Sequence, residues 1–277
     1  MLDSTRRATG VSLAVFVALN LALATLGVAL IAALPTIGTM LWPDALGPLL
    51  AAGAVLRVVV GVGVLILWLG KLRFEDIGLV WSRAAPGIAL SALVWGIAQS
   101  VELGLGITGP TGVQLHPSWQ QAGTAAAVLG RLTSQIFAVA LIEEISFRGY
   151  LLPQTYLFLK DRWPSARRLR LSVALVLSQG LFMVLHLPFL LHAGVPPANL
   201  SVVLPIIFAF GLFFSFVYLR TRNLFFAIGI HALVTAPTPL LVWGGHEALP
   251  IIAGTVAVLA WQGLLSRRVR PPPGLSS

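Results

Sequence analysis

Cysteine is absent from this chain, and acidic side chains are few, with 9 Asp and Glu among 277 residues. Without cysteine there are no disulfides, no thiolate nucleophile and no cysteine-ligated metal. Charge of either sign is also scarce, at 10% of residues, where a soluble domain carries about 25%. Hydrocarbon fills the gap: 57% of residues are hydrophobic, and the mean hydropathy is +0.92. No water-soluble core hides that much apolar surface. The composition calls for a bilayer as solvent and for an all-α polytopic membrane protein.

Eight hydrophobic spans are expected, at roughly 11–34, 46–69, 84–106, 132–159, 171–190, 200–219, 224–243 and 249–265. The basic residues sort sharply between the connections. Arg6, Arg7, Lys71, Arg73, Arg83, Lys160, Arg162, Arg167, Arg168, Arg170, Arg220, Arg222, Arg267, Arg268 and Arg270 all fall on one side, fifteen of the 18 Lys and Arg. The positive-inside rule then puts both termini in the cytoplasm after an even number of crossings. The formal charge of +9 is therefore a topology signal with some attraction to anionic lipid, and not a nucleic-acid footprint. The expected organisation is one integral-membrane domain over 1–277. Its chemistry-bearing motifs lie within 131–236, and a proline-rich tail at 267–277 reads as disordered.

Two of the nine carboxylates stand side by side in Leu141-Ile-Glu-Glu-Ile-Ser-Phe-Arg-Gly-Tyr150. A charge at bilayer depth costs about 2.5–3.5 kcal/mol on insertion scales, so such residues usually mark function. If the span runs on to Leu159, Arg131 reaches the outer interface and Lys160 the inner one, and the glutamates fall near the middle. That helix is about 40 Å long at 1.5 Å per residue, with Gly149 and Pro153 available for a kink. Glu144 and Arg148 are i and i+4, on one face and within ion-pairing reach. Glu143 points about 100° away, without that partner, and is the candidate general base. The bland alternative is that all three form a salt-bridge cluster pinning helices together.

His116, His192 and His246 fall in connections or at span ends, whereas His186 and His231 lie inside apolar spans. A lone intramembrane histidine is most simply a hydrogen-bonder between helices. Two of them beside a diglutamate make a water-activating centre the better reading. Zinc with a glutamate base is one version. A metal-free version has glutamate and histidine polarising water while other groups stabilise the oxyanion. Gln135, Gln179 and Asn20 read as interhelical hydrogen-bonders.

Glu143-Glu144-x-x-x-Arg148, then Phe182-x-x-x-His186, then His231 on a third span resembles the CPBP family. These are the type II CAAX prenyl endopeptidases and their bacterial relatives, the bacteriocin-processing and self-immunity proteins. Ile-Ser-Phe-Arg-Gly after the diglutamate and the short Asp76-Ile-Gly-Leu79 stretch resemble that family too. The resemblance covers roughly Arg73 to Thr235. It implies an eight-helix intramembrane protease in a bacterial inner membrane. It also implies Glu143 as general base, Glu144 and Arg148 as a structural acid and base, His186 as water activator, and His231 as a holder of metal or oxyanion. If zinc is present, His186, His231 and Glu143 are its implied ligands. One position departs from the pattern. The family's third motif usually has asparagine four residues after its histidine, and here Thr235 stands there.

The expectation is thus an endopeptidase cutting a membrane-embedded or lipidated peptide at a Glu/His-activated water. Two other classes remain open. One is a catalytically degenerate member of the same fold acting as a membrane scaffold or immunity protein, which Thr235 motivates. The other is a proton-coupled transporter using the buried carboxylate as a relay, and the lack of visible inverted repeats weighs against it.

Overall fold

Apolar runs become helices here because hydrocarbon offers the backbone no outside hydrogen-bond partner, so each segment must satisfy its own N–H and C=O groups. A computed structural model describes residues 2, 5–41, 58–109, 112–120, 124–242 and 248–268. Among these the order is α1 (Gly10–Leu41), α2 (Val58–Leu69), α3 (Ala84–Thr108), α4 (Ala125–Arg162), α5 (Arg167–His192), α6 (Pro197–Thr221), α7 (Leu224–Thr235) and α8 (Ala248–Arg268). The described residues hold no strand, only an isolated bridge between Leu115 and Leu241. Four helices, α3 with the turn before it and α4, α5 and α6, are long and apolar enough to cross a membrane. Residues 46–57 of the expected second span lie outside the described residues. So do 269–277 of the expected tail, since α8 runs as far as Arg268.

The chain divides into two compact units. The first comprises Met1–Trp81 with Ala138–Leu224, the second Ser82–Phe137 with Phe225–Ser277. In the first, α5 packs on α1, on α6 and on the C-terminal part of α4. The stretch Glu144–Leu151 of α4 is enclosed by α2, α5, α6 and the single turn Glu75–Ile77. All eight of its residues are buried. In the second unit α8 packs on α3, where Gly254 lets the helix approach Val94 and Ile97 closely.

Helix α4 is the long version of the fourth span, 38 residues without a break. It manages its proline by widening. Residues Gln135–Ala140 and Glu144–Leu151 adopt i→i+5 turns, and the second stretch ends just before Pro153. A proline ring clashes with the carbonyl four residues back and removes an N–H. A locally wider helix accommodates both demands without breaking. Trp163-Pro164 then stops it, since a residue before proline is pushed out of the helical region.

Three tethers hold α4 in the first unit. Ser12 Oγ donates its one proton to the Leu65 carbonyl at 2.9 Å, so the Tyr150 hydroxyl must be the donor in the 2.8 Å contact between the two. Gln154, almost fully buried, reads the N-terminal segment like a paired strand. Its Oε1 accepts from Ala8 N at 2.7 Å and its Nε2 donates to Arg6 O at 2.9 Å. The third tether is Ile77, whose carbonyl sits where a Cβ on Gly149 would be. Gly78 turns the chain at φ +81°, and its own Cβ would lie 2.6 Å from the Tyr218 hydroxyl. The Asp76-Ile-Gly-Leu79 stretch is therefore a brace against the diglutamate helix.

In the second unit the seventh span is shorter than hydropathy implies. Helix α7 ends at Thr235, because Pro237 and Pro239 cannot continue it. Residues 236–242 follow as irregular chain. His116 N donates to Leu240 O at 2.8 Å and Val242 N to Gln114 O at 2.9 Å. Trp119 Nε1 donates to Pro239 O at 2.7 Å, and Gln99 Oε1 accepts from Leu240 N at 2.7 Å.

Candidate active site

Glu144 and Arg148 meet as their spacing implies. Arg148 Nη1 donates to Glu144 Oε1 at 3.0 Å, with both side chains at 0% exposure. The guanidinium has further partners. Its Nη2 donates to the Gly211 carbonyl of α6 at 2.9 Å, and its carbon lies 4.8 Å from the Phe182 ring centre and 5.5 Å from that of Phe214. A cation over an aromatic face gains about 2 kcal/mol when water is excluded. At Gly211 an added Cβ would lie 2.9 Å from Gln179 Oε1 and 3.3 Å from Phe182, so the glycine lets α5 and α6 pack closely. The pair is a strut between α4 and α6, and neither member is open to a substrate.

Glu143, one position away, is half-buried rather than buried. It is not electrically isolated, as spacing alone suggested, since it lies within coulombic reach of Arg148. The adjacent carboxylates therefore differ in access: Glu144 is sealed in a charge pair, while Glu143 keeps a face towards its surroundings.

His186 lies one turn after Phe182 on α5 and is also half-buried. Its Nδ1 is 2.7 Å from the Phe182 carbonyl. A carbonyl only accepts, so Nδ1 carries the proton, and the neutral ring presents Nε2 as its basic nitrogen. The ring also packs on Phe182 at 4.6 Å between centres. Phe182 thus touches both the Arg148 guanidinium and the His186 imidazole, and links the first two motifs physically. Pro188, two residues on, cannot donate to the Val184 carbonyl, which loosens the helix ladder beside His186.

Glu143, Glu144, Arg148 and His186 all belong to the first compact unit; His231 and Thr235 belong to the second. His231 is 3% exposed on α7. Thr235 is exposed, and its hydroxyl has three acceptors in reach: His231 O at 2.9 Å, Ala232 O at 3.2 Å and Gln135 Oε1 at 3.2 Å. Among the described residues no group of three or more His, Cys, Asp or Glu side chains is disposed to hold a metal ion. His186 has the orientation of a ligand, its second nitrogen fixed on a carbonyl.

The sequence reading missed the Gly211 carbonyl, the rings of Phe182 and Phe214 as partners of Arg148, and the Ile77–Gly149 contact. Only Gly149 and Gly78 carried any local signal, glycines beside charged motifs where a close approach is a standing possibility.

No curated protein and no solved structure matches this chain. Residues 125–236, which carry all six of the motif residues described above, match the family model for type II CAAX prenyl endopeptidase Rce1-like proteins, and the resemblance drawn from the three motifs is borne out.

Proposed function

We propose that the protein is an intramembrane endopeptidase that hydrolyses a peptide bond of a membrane-embedded or lipidated substrate. It would cross a bacterial inner membrane eight times, with both termini cytoplasmic. The observation that carries this reading is the unequal access of two adjacent carboxylates, on a helix whose Arg148 shares the Phe182 ring with His186. Glu144 and Arg148 hold the helix, which leaves Glu143 to act. Glu143 takes a proton from water as the oxygen attacks the scissile carbonyl, and the Nε2 face of His186 orients that water. The tetrahedral oxyanion collapses with cleavage of the C–N bond, and Glu143 returns the proton to the leaving amine. Val176, Leu177, Val202 and Phe216 on α5 and α6 are large exposed apolar side chains. They support a substrate approaching through lipid, since faces of this kind have no cost in hydrocarbon.

Glu143→Gln keeps the side-chain shape and removes the base. Cleavage of a membrane-anchored peptide in proteoliposomes is expected to fall about 10²–10⁴-fold, with the unfolding transition unchanged. Undiminished cleavage by that variant sinks the mechanism. Zinc is the second form of the proposal, with His186 as the residue best oriented to ligate. Metal content of the purified protein measured beside activity decides between the forms.

The Thr235 hydroxyl, directed at its own helix, favours a second reading: a catalytically silent relative that binds a partner helix as a scaffold or immunity factor. On that reading Glu143→Ala and His186→Ala leave the cellular phenotype intact.

A further inference from the structure

Two helices of the first unit end in the same pattern, an exposed ring followed by a cation. On α2, Trp68 is 75% exposed and Lys71 follows it three residues later. On α4, Phe158 is 55% exposed, and Lys160 and Arg162 follow it. A ring at headgroup level with basic residues just beyond it is how a helix leaves a bilayer.

The segment before α1 joins these two ends. Gln154 bonds its main chain on either side of Arg7, and Leu2 packs on the buried cluster of Leu152, Tyr156, Leu157 and Ala174. Arg6 and Arg7 are therefore carried on a fixed backbone, and their side chains reach in different directions. Arg6 Nη1 donates to the Lys71 carbonyl at 3.4 Å. Arg7 Nη1 donates to Asp161 Oδ2 at 2.6 Å, and its guanidinium carbon lies 5.5 Å from the centre of the Phe158 ring. Three stretches far apart in sequence thus bring together Arg6, Arg7, Lys71, Lys160 and Arg162, all exposed. The carboxylate that meets them is Asp161. A guanidinium has five N–H donors, so one bond to Asp161 leaves Arg7 with donors for a second acceptor.

We infer that this face binds an anionic phospholipid, its headgroup phosphate held by the five cations and its acyl chains lying against Trp68 and Phe158. Guanidinium and ammonium groups match a phosphate in charge and in donors. The exposed rings beside them match hydrocarbon. A soluble anion uses the first feature alone and a neutral lipid the second alone, whereas an anionic lipid uses both. The site stands whether or not the chain is an endopeptidase.

The experiment measures binding of dioctanoyl phosphatidylglycerol, a short-chain anionic lipid, to the full chain purified in neutral detergent. Dioctanoyl phosphatidylcholine, glycerol phosphate and an oligoglutamate peptide are measured beside it. A cation beside an anionic headgroup contributes about fivefold in affinity. Phosphatidylglycerol is expected to bind more than about tenfold tighter than each of the other three, since none of them engages both rings and cations. Arg7→Gln/Lys160→Gln is expected to lose about twentyfold, and added salt to weaken the parent in the same direction. Arg267→Gln/Arg268→Gln removes as much charge from α8, outside these contacts, and is expected to stay within about twofold of the parent. Asp161→Asn acts the other way: it removes the competing carboxylate and is expected to tighten binding about fivefold. A loss of folding does not produce that gain. The inference is overturned if phosphatidylcholine binds as tightly as phosphatidylglycerol, or if glycerol phosphate or the peptide does, which would make the face an apolar patch, a soluble-anion site or a docking face for acidic protein. It is equally overturned if Arg7→Gln/Lys160→Gln binds like the parent, if the α8 pair loses as much, which would mean diffuse charge without a site, or if Asp161→Asn does not tighten binding.

Discussion

Glu144–Leu151 and residues 236–242 are held in opposite ways. The first is a helix buried on all sides, locked by a charge pair that no water reaches and by aromatic faces on the cation. The second is irregular chain. Indole and amide side chains, together with the main chain of the 112–120 segment, satisfy it one hydrogen bond at a time. The first region is a dry charged knot, and the second is held with neutral donors. The knot is all-or-none, because removing one ion strands the other. The strap is graded, because each neutral bond contributes only about 0.5–1.5 kcal/mol. The two regions therefore break in different ways.

The largest effect is expected at the knot. Arg148→Ala leaves Glu144 as a buried carboxylate without its counter-ion, and breaking such a pair costs about 3–5 kcal/mol. Arg148→Met together with Glu144→Gln removes both charges at similar volume and is expected to regain most of that loss. Unfolding of the purified protein in detergent micelles measures both. If the double variant is as unstable as Arg148→Ala, the cost lies in lost packing and the electrostatic account of the knot is wrong.

Gly149→Ala is the next test and separates bracing from charge. The added methyl meets the Ile77 carbonyl, and overpacking a close backbone approach costs about 1–3 kcal/mol. Both ion partners are untouched, so a loss of this size shows the Asp76-Ile-Gly-Leu79 turn to be a support for the diglutamate helix in its own right. A neutral substitution would mean that the turn yields freely and positions nothing.

Local features were legible in the sequence, and features formed by distant chain were not. The i,i+4 geometry of Glu144 and Arg148 needs only the period of a helix, and it is found. The long fourth helix followed from placing Arg131 and Lys160 at opposite interfaces, and α4 covers both positions. By contrast, the Gly211 carbonyl lies 63 residues from Arg148 in sequence, and no spacing rule points to it. The end of α7 was visible in Pro237 and Pro239. The apolar run Leu240-Leu-Val-Trp243 outweighed them, because hydropathy does not distinguish a helix from an apolar strap. Gln135 read correctly as a hydrogen-bonder between helices. Which partner it meets, and that the partner is Thr235, depends on tertiary packing alone.

The smallest expected effect tests the strap at its most strained residue. Thr238 sits at φ +50°, although it is β-branched and precedes a proline, two steric reasons against that region. Strain of this kind costs about 1–3 kcal/mol and persists only where the surroundings over-determine it. Trp95 supplies part of that constraint, its indole N–H donating to Thr238 Oγ1 at 3.1 Å and to Thr238 O at 3.3 Å. Trp95→Phe keeps most of the ring, removes the donor, and is expected to cost about 0.5–1.5 kcal/mol. Thr238→Gly relieves the backbone, since glycine adopts positive φ freely. The same Trp95→Phe change is then expected to cost less in the Thr238→Gly background than in the parent. A double-mutant cycle by unfolding in detergent reads the difference. Equal costs in the two backgrounds would mean that the indole does not hold the strained turn. The strap would then be a set of independent bonds, and its contrast with the charged knot would be sharper still.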